Sequence, residues 1–342
     1  LPHWGLTGAA IELIKHRENT VFKVVSRTGQ PFALRIHRHG YHQVDSLESE
    51  MQWMEALSAD GIATPAAVRS DDGRRVVSVS LPVSDQADKE ESRNCTLLAW
   101  VDGSPFDDLG QVERGVVPEL KDRYRQLGAL AGRLHNQGQR WQPPEDFRRH
   151  SWDIDGLLGD DPLWGPFWNH HLLTDQQRMS VIKARIVLTS LLQQLGKGPE
   201  CFGLIHADFL PENILVHDGQ LNLIDFDDCG YGWYMFEMAT SLFPKIAEPY
   251  FEDLVDEYVA GYRSEREFTD EHSSIFPAFI LLRGLTYLGW LMTRAEGLKN
   301  RDKLAQQIID GLCEHIPELL NELTTTQRLG VEAVAWMQSR KR

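Results

Sequence analysis

The first hundred residues alternate. Apolar side chains recur every second position over Ala9–Ile14 and Thr20–Ser26, with the polar run Lys15–Asn19 between them. The same period returns over Phe32–His37 after a turn at Thr28-Gly29. A period of two puts successive side chains on opposite faces of an extended chain, so these segments read as strands of one sheet. The period then changes. Between Val44 and Ser58 the apolar positions Leu47, Met51, Met54 and Leu57 have helical spacing, and the pattern stops before Asp60-Gly61. Two further strands are expected at about Arg75–Leu81 and Thr96–Val101. The segment between them, Ser84–Asn94, is polar apart from Ala87 and reads as an exposed, mobile loop.

Beyond Asp102-Gly103-Ser104-Pro105 the pattern is helical. Helices are expected over Leu120–Asn136, Thr174–Leu195, Met235–Leu242, Phe251–Tyr262, Ser273–Thr293 and Lys303–Thr325, with a last one running to the C-terminus. Strands are expected to return only in the signature hairpin described below. The chain is therefore expected to be α+β. A small antiparallel β lobe with one helix (residues 1–101) precedes a large, mainly α-helical lobe (residues 102–342).

One stretch interrupts the helical lobe: LIHADFLPENILVHDGQLNLIDFDD, Leu204–Asp228. A short strand enters a loop containing His206 and Asp208, and Asn213 follows five residues after Asp208. A hairpin then runs from Ile214–His217 through Asp218-Gly219 to Leu221–Ile224 and presents Asp225 at its end. Phosphoryl transfer to an alcohol uses a carboxylate to align the hydroxyl and take its proton late, a role Asp208 can fill. It also uses oxygen ligands for Mg²⁺, and the Asn213 amide and Asp225 carboxylate supply them. The strand before Asp225 is apolar, so that carboxylate should be buried, and a buried charge needs a partner.

This pattern, HxDxxxxN followed by a strand ending in DF, resembles the catalytic and metal-binding loops of the aminoglycoside phosphotransferase and choline kinase superfamily. The runs IDFDDCGYGW and WDIDGLLGDDPLWG are similar to bacterial homoserine-kinase-like and stress-response-kinase-like members. The resemblance implies a bilobal protein-kinase-like fold, with ATP and Mg²⁺ as cofactors. It implies transfer of the γ-phosphoryl group to a small-molecule hydroxyl, on an amino alcohol, a hydroxy amino acid or an aminosugar. Arg35 takes the place of the usual strand-three Lys, with Glu50 on the next helix as its partner and Glu48 as the alternative, and the pair would hold the α- and β-phosphates of ATP. Trp100 and Val101 would line the adenine site, and Lys15–Asn19 would form the phosphate-covering loop, without glycines. His206 reads as structural. Asp227 is a candidate for a second metal, and Asp228 for a substrate ammonium. The cluster Trp152, Trp164, Phe167 and Trp168 reads either as core or, through Trp152, as an aromatic cage for a cation.

Composition narrows the partners. Lys+Arg 35 against Asp+Glu 50 gives −15 over 342 residues, which argues against nucleic acid and suits a cationic or neutral substrate. Four scattered cysteines form no CxxC pair and no secretory leader pattern opens the sequence, so a reduced cytoplasmic protein is expected. Ile275–Thr293 approaches the length of a membrane span, but a central Arg283 is costly in lipid and favours a buried helix. His37, His39 and His42 lack a recognised metal spacing and read as a polar strand end. Two other functions are considered. A protein Ser/Thr kinase would need an activation segment, yet no APE motif follows Asp225. A non-catalytic nucleotide-binding protein would not need Asp208, Asn213 and Asp225 together.

Overall fold

The computed structural model describes residues 1–16, 19–83, 86–107, 117–295 and 298–326. In chain order the first elements are β1 (Ala10–His16), β2 (Thr20–Val25), β3 (Pro31–Ile36), α1 (Val44–Ala59), β4 (Ala67–Val68), β5 (Val76–Val83), β6 (Gln86–Ala99) and β7 (Ser104–Pro105). Then come α2 (Val117–Arg140), β8 (Ser151–Trp152), α3 (Ile154–Leu158), α4 (Asp175–Leu195), β9 (Phe202–Ile205), β10 (Ile214–His217), β11 (Gln220–Leu223) and β12 (Gly230–Trp233). The last are α5 (Tyr234–Leu242), α6 (Phe251–Glu265), α7 (Asp270–Thr293) and α8 (Arg301–Thr326). The helix expected at the extreme C-terminus lies outside the described residues.

The chain groups into two compact units. One comprises Leu1–Val116, Arg140–Arg149 and Pro211–Cys229, and the other Val117–Gln139, His150–Leu210 and Gly230–Arg342. In the first unit the alternating strands form a sheet of order β1-β2-β3-β6-β4, with β5 paired to β6. Val24, Leu34 and Leu97 on one face pack with Trp4, Val77 and Cys95 as its core. The hairpin β10–β11 closes through Asp218 (φ 48°) and Gly219 (φ 77°), the left-handed pair that an Asp-Gly hairpin turn requires. At its end Phe226 is fully buried, with its ring edge-on to Trp53 of α1 at 5.6 Å.

The polar segment Ser84–Asn94 departs from expectation. From Gln86 onward it belongs to β6, paired antiparallel with β5 through Leu81↔Glu91, Ser80↔Ser92 and Ser78↔Asn94. The ribbon is joined by backbone pairing, which hydrophobic periodicity does not register.

The second unit is mainly helical around a small sheet of order β8-β12-β9. Neither β8 nor β12 was expected. In β12 the sequence Gly-Tyr-Gly-Trp lacks the β-branched residues that signal a strand. A Cβ on Gly230 would meet the backbone carbonyl oxygen of His150 at 2.6 Å, so the close approach of the chain there requires the glycine. α7 is the one described helix long and apolar enough to cross a membrane, and 78% of its most apolar window is buried inside the protein. It is apolar all round because neighbours surround it, as a core helix requires.

Candidate active site

In the second unit, β9 leads into His206, Ala207 and Asp208. Ala207 holds φ 65°, a conformation that costs an L-residue roughly 1–2 kcal/mol. Glu237 on α5 stabilises it. This fully buried carboxylate accepts the backbone N–H of His206 at 2.8 Å and of Ala207 at 2.6 Å. His135 lies behind it, with Nε2 3.6 Å from Glu237, Nδ1 2.8 Å from the Tyr262 hydroxyl, and its ring stacked on Tyr234 at 4.3 Å. Burial lowers the His135 pKa, with Glu237 opposing. Asp208 lies 3.9 Å from the guanidinium of Arg283, the charge in the middle of α7. Arg283 is 2% exposed and lies over the rings of Trp164 at 4.7 Å and Tyr287 at 5.4 Å. A desolvated Arg so placed gains cation–π attraction and gives Asp208 a fixed counter-charge.

The hairpin residues sit in the first unit. Asn213 closes a single 3-10 turn, is 3% exposed, and its carbonyl accepts the N–H of Ile224 at 2.9 Å. That bond ties Asn213 to the residue before Asp225. Asp225 itself adopts φ 64°, and its side chain is 35% exposed rather than buried as expected, because it stands past the end of the hairpin strand with its carboxylate 3.8 Å from Lys15 Nζ. Among the described residues no three His, Cys, Asp or Glu side chains gather into a metal cage. Two oxygen donors fit Mg²⁺, which keeps waters and substrate phosphate oxygens as its other ligands.

A cluster of charged groups holds the chain just after Asp225. Arg35 donates to Glu50 at 2.5 Å and to Asp227 at 2.9 Å. Glu48, the alternative partner, instead pairs with Arg75 at 3.2 Å. Burial opposes the charge on Arg35, but Glu50 and Asp227 outweigh it and raise its pKa. Burial likewise opposes ionised Asp227, yet His37, His42 and Arg35 hold its carboxyl well below the ordinary range. His37 Nδ1 is 3.8 Å and His42 Nε2 3.6 Å from that carboxylate, and the Tyr41 hydroxyl donates to Asp228 at 2.9 Å. Arg149 donates to the carbonyls of Cys229 and Asp227, both at 2.5 Å, and to that of Ser46 at 3.1 Å. The segment His37–His42 is thus an anchor for Asp227 and Asp228, not a plain polar strand end. Of the three histidines, His39 is the exposed one and lies 3.4 Å from Glu91.

Trp100 and Val101 follow β6 in the first unit, both half-buried. The Trp100 indole N–H donates to Asp102 at 3.0 Å, and Lys23 Nζ lies 4.3 Å from its ring centroid. Arg35, Glu50, Trp100, Val101, Asn213, Asp225 and Asp228 therefore share one compact unit, and Asp208 and Trp152 the other. Trp152 is 1% exposed and packs against His150, Trp164 and Phe236, so it offers core packing rather than an open ring face. Of the expected phosphate-covering loop, Arg17 and Glu18 lie outside the described residues.

A β-rich unit with a strand–helix Arg–Glu pair and a helical unit with an Asp-bearing loop make the fold of a protein-kinase-like phosphotransferase. The chain belongs to the phosphotransferase enzyme family (APH), whose model matches residues 10–272. The structure of the microcompartment-associated aminopropanol kinase aligns at TM-score 0.81 and 31% identity, covering 94% of this chain and 96% of that one. The amicoumacin kinase of Bacillus subtilis (strain 168) is 22% identical over 298 residues, 84% of this chain and 81% of that protein. Amicoumacin kinase hAmiN, solved with AMP-PNP, Ca²⁺ and Ami, shares the fold at TM-score 0.70 and 22% identity, covering 89% of this chain and 88% of that one. The protein is an ATP-dependent phosphotransferase.

Proposed function

We propose that the chain transfers the γ-phosphoryl group of ATP, with Mg²⁺, to the hydroxyl of a small amino alcohol in the cytoplasm; hydroxy amino acids and aminosugars are the neighbouring classes. The likeness to an aminopropanol kinase over nearly the whole chain carries this reading. The net charge of −15 is compatible with a cationic acceptor.

Asp208 orients the acceptor hydroxyl and takes its proton as the new O–P bond forms. Arg283 keeps that carboxylate in place. Asn213 and Asp225 hold Mg²⁺, which screens phosphate charge when bound. Arg35, paired with Glu50, steadies the ATP-binding unit, and Trp100 and Val101 line adenine. Positioning and fixed charge then account for most of the rate. From Asp225 the chain reaches α5 at Tyr234 through the strand Gly230–Trp233, which leaves no room for the long activation segment of a protein kinase.

The test is Mg²⁺-dependent ADP release with aminopropanol, ethanolamine, choline, homoserine, hydroxylysine, methylthioribose, aminoglycosides and a Ser/Thr protein substrate, using Asp208→Asn as control. Stimulation by an amino alcohol, lost in the variant, supports the proposal. Stimulation by the protein substrate alone overturns it.

A further inference from the structure

Arg35 stands where a phosphate-binding cation is expected, but its surroundings leave that role open. Its side chain is 6% exposed, and its two terminal nitrogens donate to two different carboxylates, Glu50 and Asp227. One cation between two anions is already over-neutralised. A nucleotide adding several phosphate charges beside it needs another source of positive charge.

The strand register supplies one. β1 pairs with β2 as Ile11↔Val24, Glu12↔Lys23 and Leu13↔Phe22, and the next pair is Lys15↔Val21. Ile14 is the extra residue of a β-bulge. Without the bulge, Ile14 would oppose Val21 and Lys15 would point to the other face. With it, Lys15 opposes Val21, which opposes Arg35, which opposes Thr96. Residues directly opposite across antiparallel strands share a face, so Lys15, Val21, Arg35 and Thr96 form one row. Glu12, Lys23, Ala33 and Leu98 form the next row on that face, away from the apolar core. Bulges beside functional sites re-aim side chains in this way.

Lys15 differs from Arg35 in being accessible. Its side chain is 39% exposed and its Nζ lies 3.8 Å from the Asp225 carboxylate, the proposed metal ligand. The same face carries Lys23, which covers the Trp100 ring. The chain between β1 and β2 has no glycine, so backbone amides approach phosphate less freely there than in a glycine-rich loop. A lysine on a flexible stem can reach phosphate oxygens where the backbone cannot.

We propose that Lys15, aimed by the Ile14 bulge, is the cation that contacts the terminal phosphates of the nucleotide, while Arg35 serves as the internal brace between Glu50 and Asp227. This rests on the ATP-dependent phosphotransferase reading.

Calorimetric titration of adenosine, AMP, ADP and ATP, each with EDTA and with Mg²⁺, tests it on wild type, Lys15→Met and Lys15→Arg. Loss of a charge-assisted contact should weaken ATP and ADP by about tenfold or more in Lys15→Met, in both conditions. Adenosine should stay within about twofold, and Lys15→Arg should recover most of the loss because it keeps the charge. Unchanged ATP affinity in Lys15→Met overturns the assignment, as does an equal loss for adenosine. A loss seen only with Mg²⁺ also overturns it, since Lys15 would then act through Asp225 alone. Wild-type protein that binds no ATP would instead overturn the phosphotransferase reading beneath it.

Discussion

The two proposed catalytic carboxylates are held by opposite means. Each sits at a left-handed non-glycine turn, Ala207 at φ 65° before Asp208 and Asp225 at φ 64° itself. In the second unit the strain falls on a neutral neighbour, and one buried acid, Glu237, grips two backbone N–H groups. In the first unit the strain falls on the proposed ligand, and the clamp is cationic. Arg35 pulls on Asp227, and Arg149 pulls on the backbone carbonyls of Asp227 and Cys229. The carboxylate proposed to orient a hydroxyl thus follows a strained residue, whereas the one proposed to hold a metal carries the strain itself and lies within reach of a lysine. Removing each carboxylate should therefore fail differently.

The largest expected effect is on turnover. Asp208→Ala should lower kcat by about 10²–10⁴-fold while ATP affinity by calorimetry stays near wild type. Asp225→Ala should weaken metal-dependent ATP binding itself. Wild-type turnover in the first, or unchanged metal-dependent affinity in the second, would break the contrast.

Next comes the clamp in the second unit. Glu237→Ala would leave two buried backbone N–H groups unpaired at a strained turn, at about 1–3 kcal/mol each. Urea unfolding should show a loss of about 2–6 kcal/mol, and Glu237→Gln, with one acceptor oxygen left, should lose less. If both variants were as stable as wild type, the turn at Ala207 would owe nothing to Glu237.

What the sequence revealed follows the same division. The loop and hairpin that carry Asp208, Asn213 and Asp225 were legible because their turn residues and alternating strands are local signals, and the roles proposed for the three rest on the residue types that phosphoryl transfer uses. The clamps were not, because Glu237, Arg149 and the His37–His42 segment act across long separations in the chain, and nothing local marks a residue as a partner for a distant backbone group. Arg283 did leave a signal. A lone charge inside an apolar helix argued against a membrane span, and a buried charge needs a counter-charge; the Asp208 carboxylate lies 3.9 Å from it. Glu50 and Glu48 could not be separated by spacing alone; burial separates them, at 0% exposure for Glu50 against 27% for the Glu48 side chain. β12 was hidden by the glycines that make its packing possible.

The smallest expected effect compares the histidines beside the two clamps, His37 near Asp227 and His135 near Glu237. Burial is the largest influence on both and lowers both pKa values from the ordinary 6.5. The folded protein therefore binds these protons less readily than the unfolded chain. Above pH 6.5 both states are neutral and the stabilisation is complete. As the pH falls below 6.5 the unfolded chain takes up protons first, so stability declines until the folded pKa is reached. Each histidine adds at most about 1.4 kcal/mol per pH unit to that slope. Urea melts at pH 7.5, 6.5 and 5.5 separate the slope from the baseline cost of a substitution. His37→Gln and His135→Gln should each be less stable at pH 7.5 yet lose stability less steeply toward pH 5.5 than wild type. A slope unchanged in His135→Gln but reduced in His37→Gln would place acid sensitivity in the cationic clamp alone. The reverse would place it beneath the turn that carries Asp208.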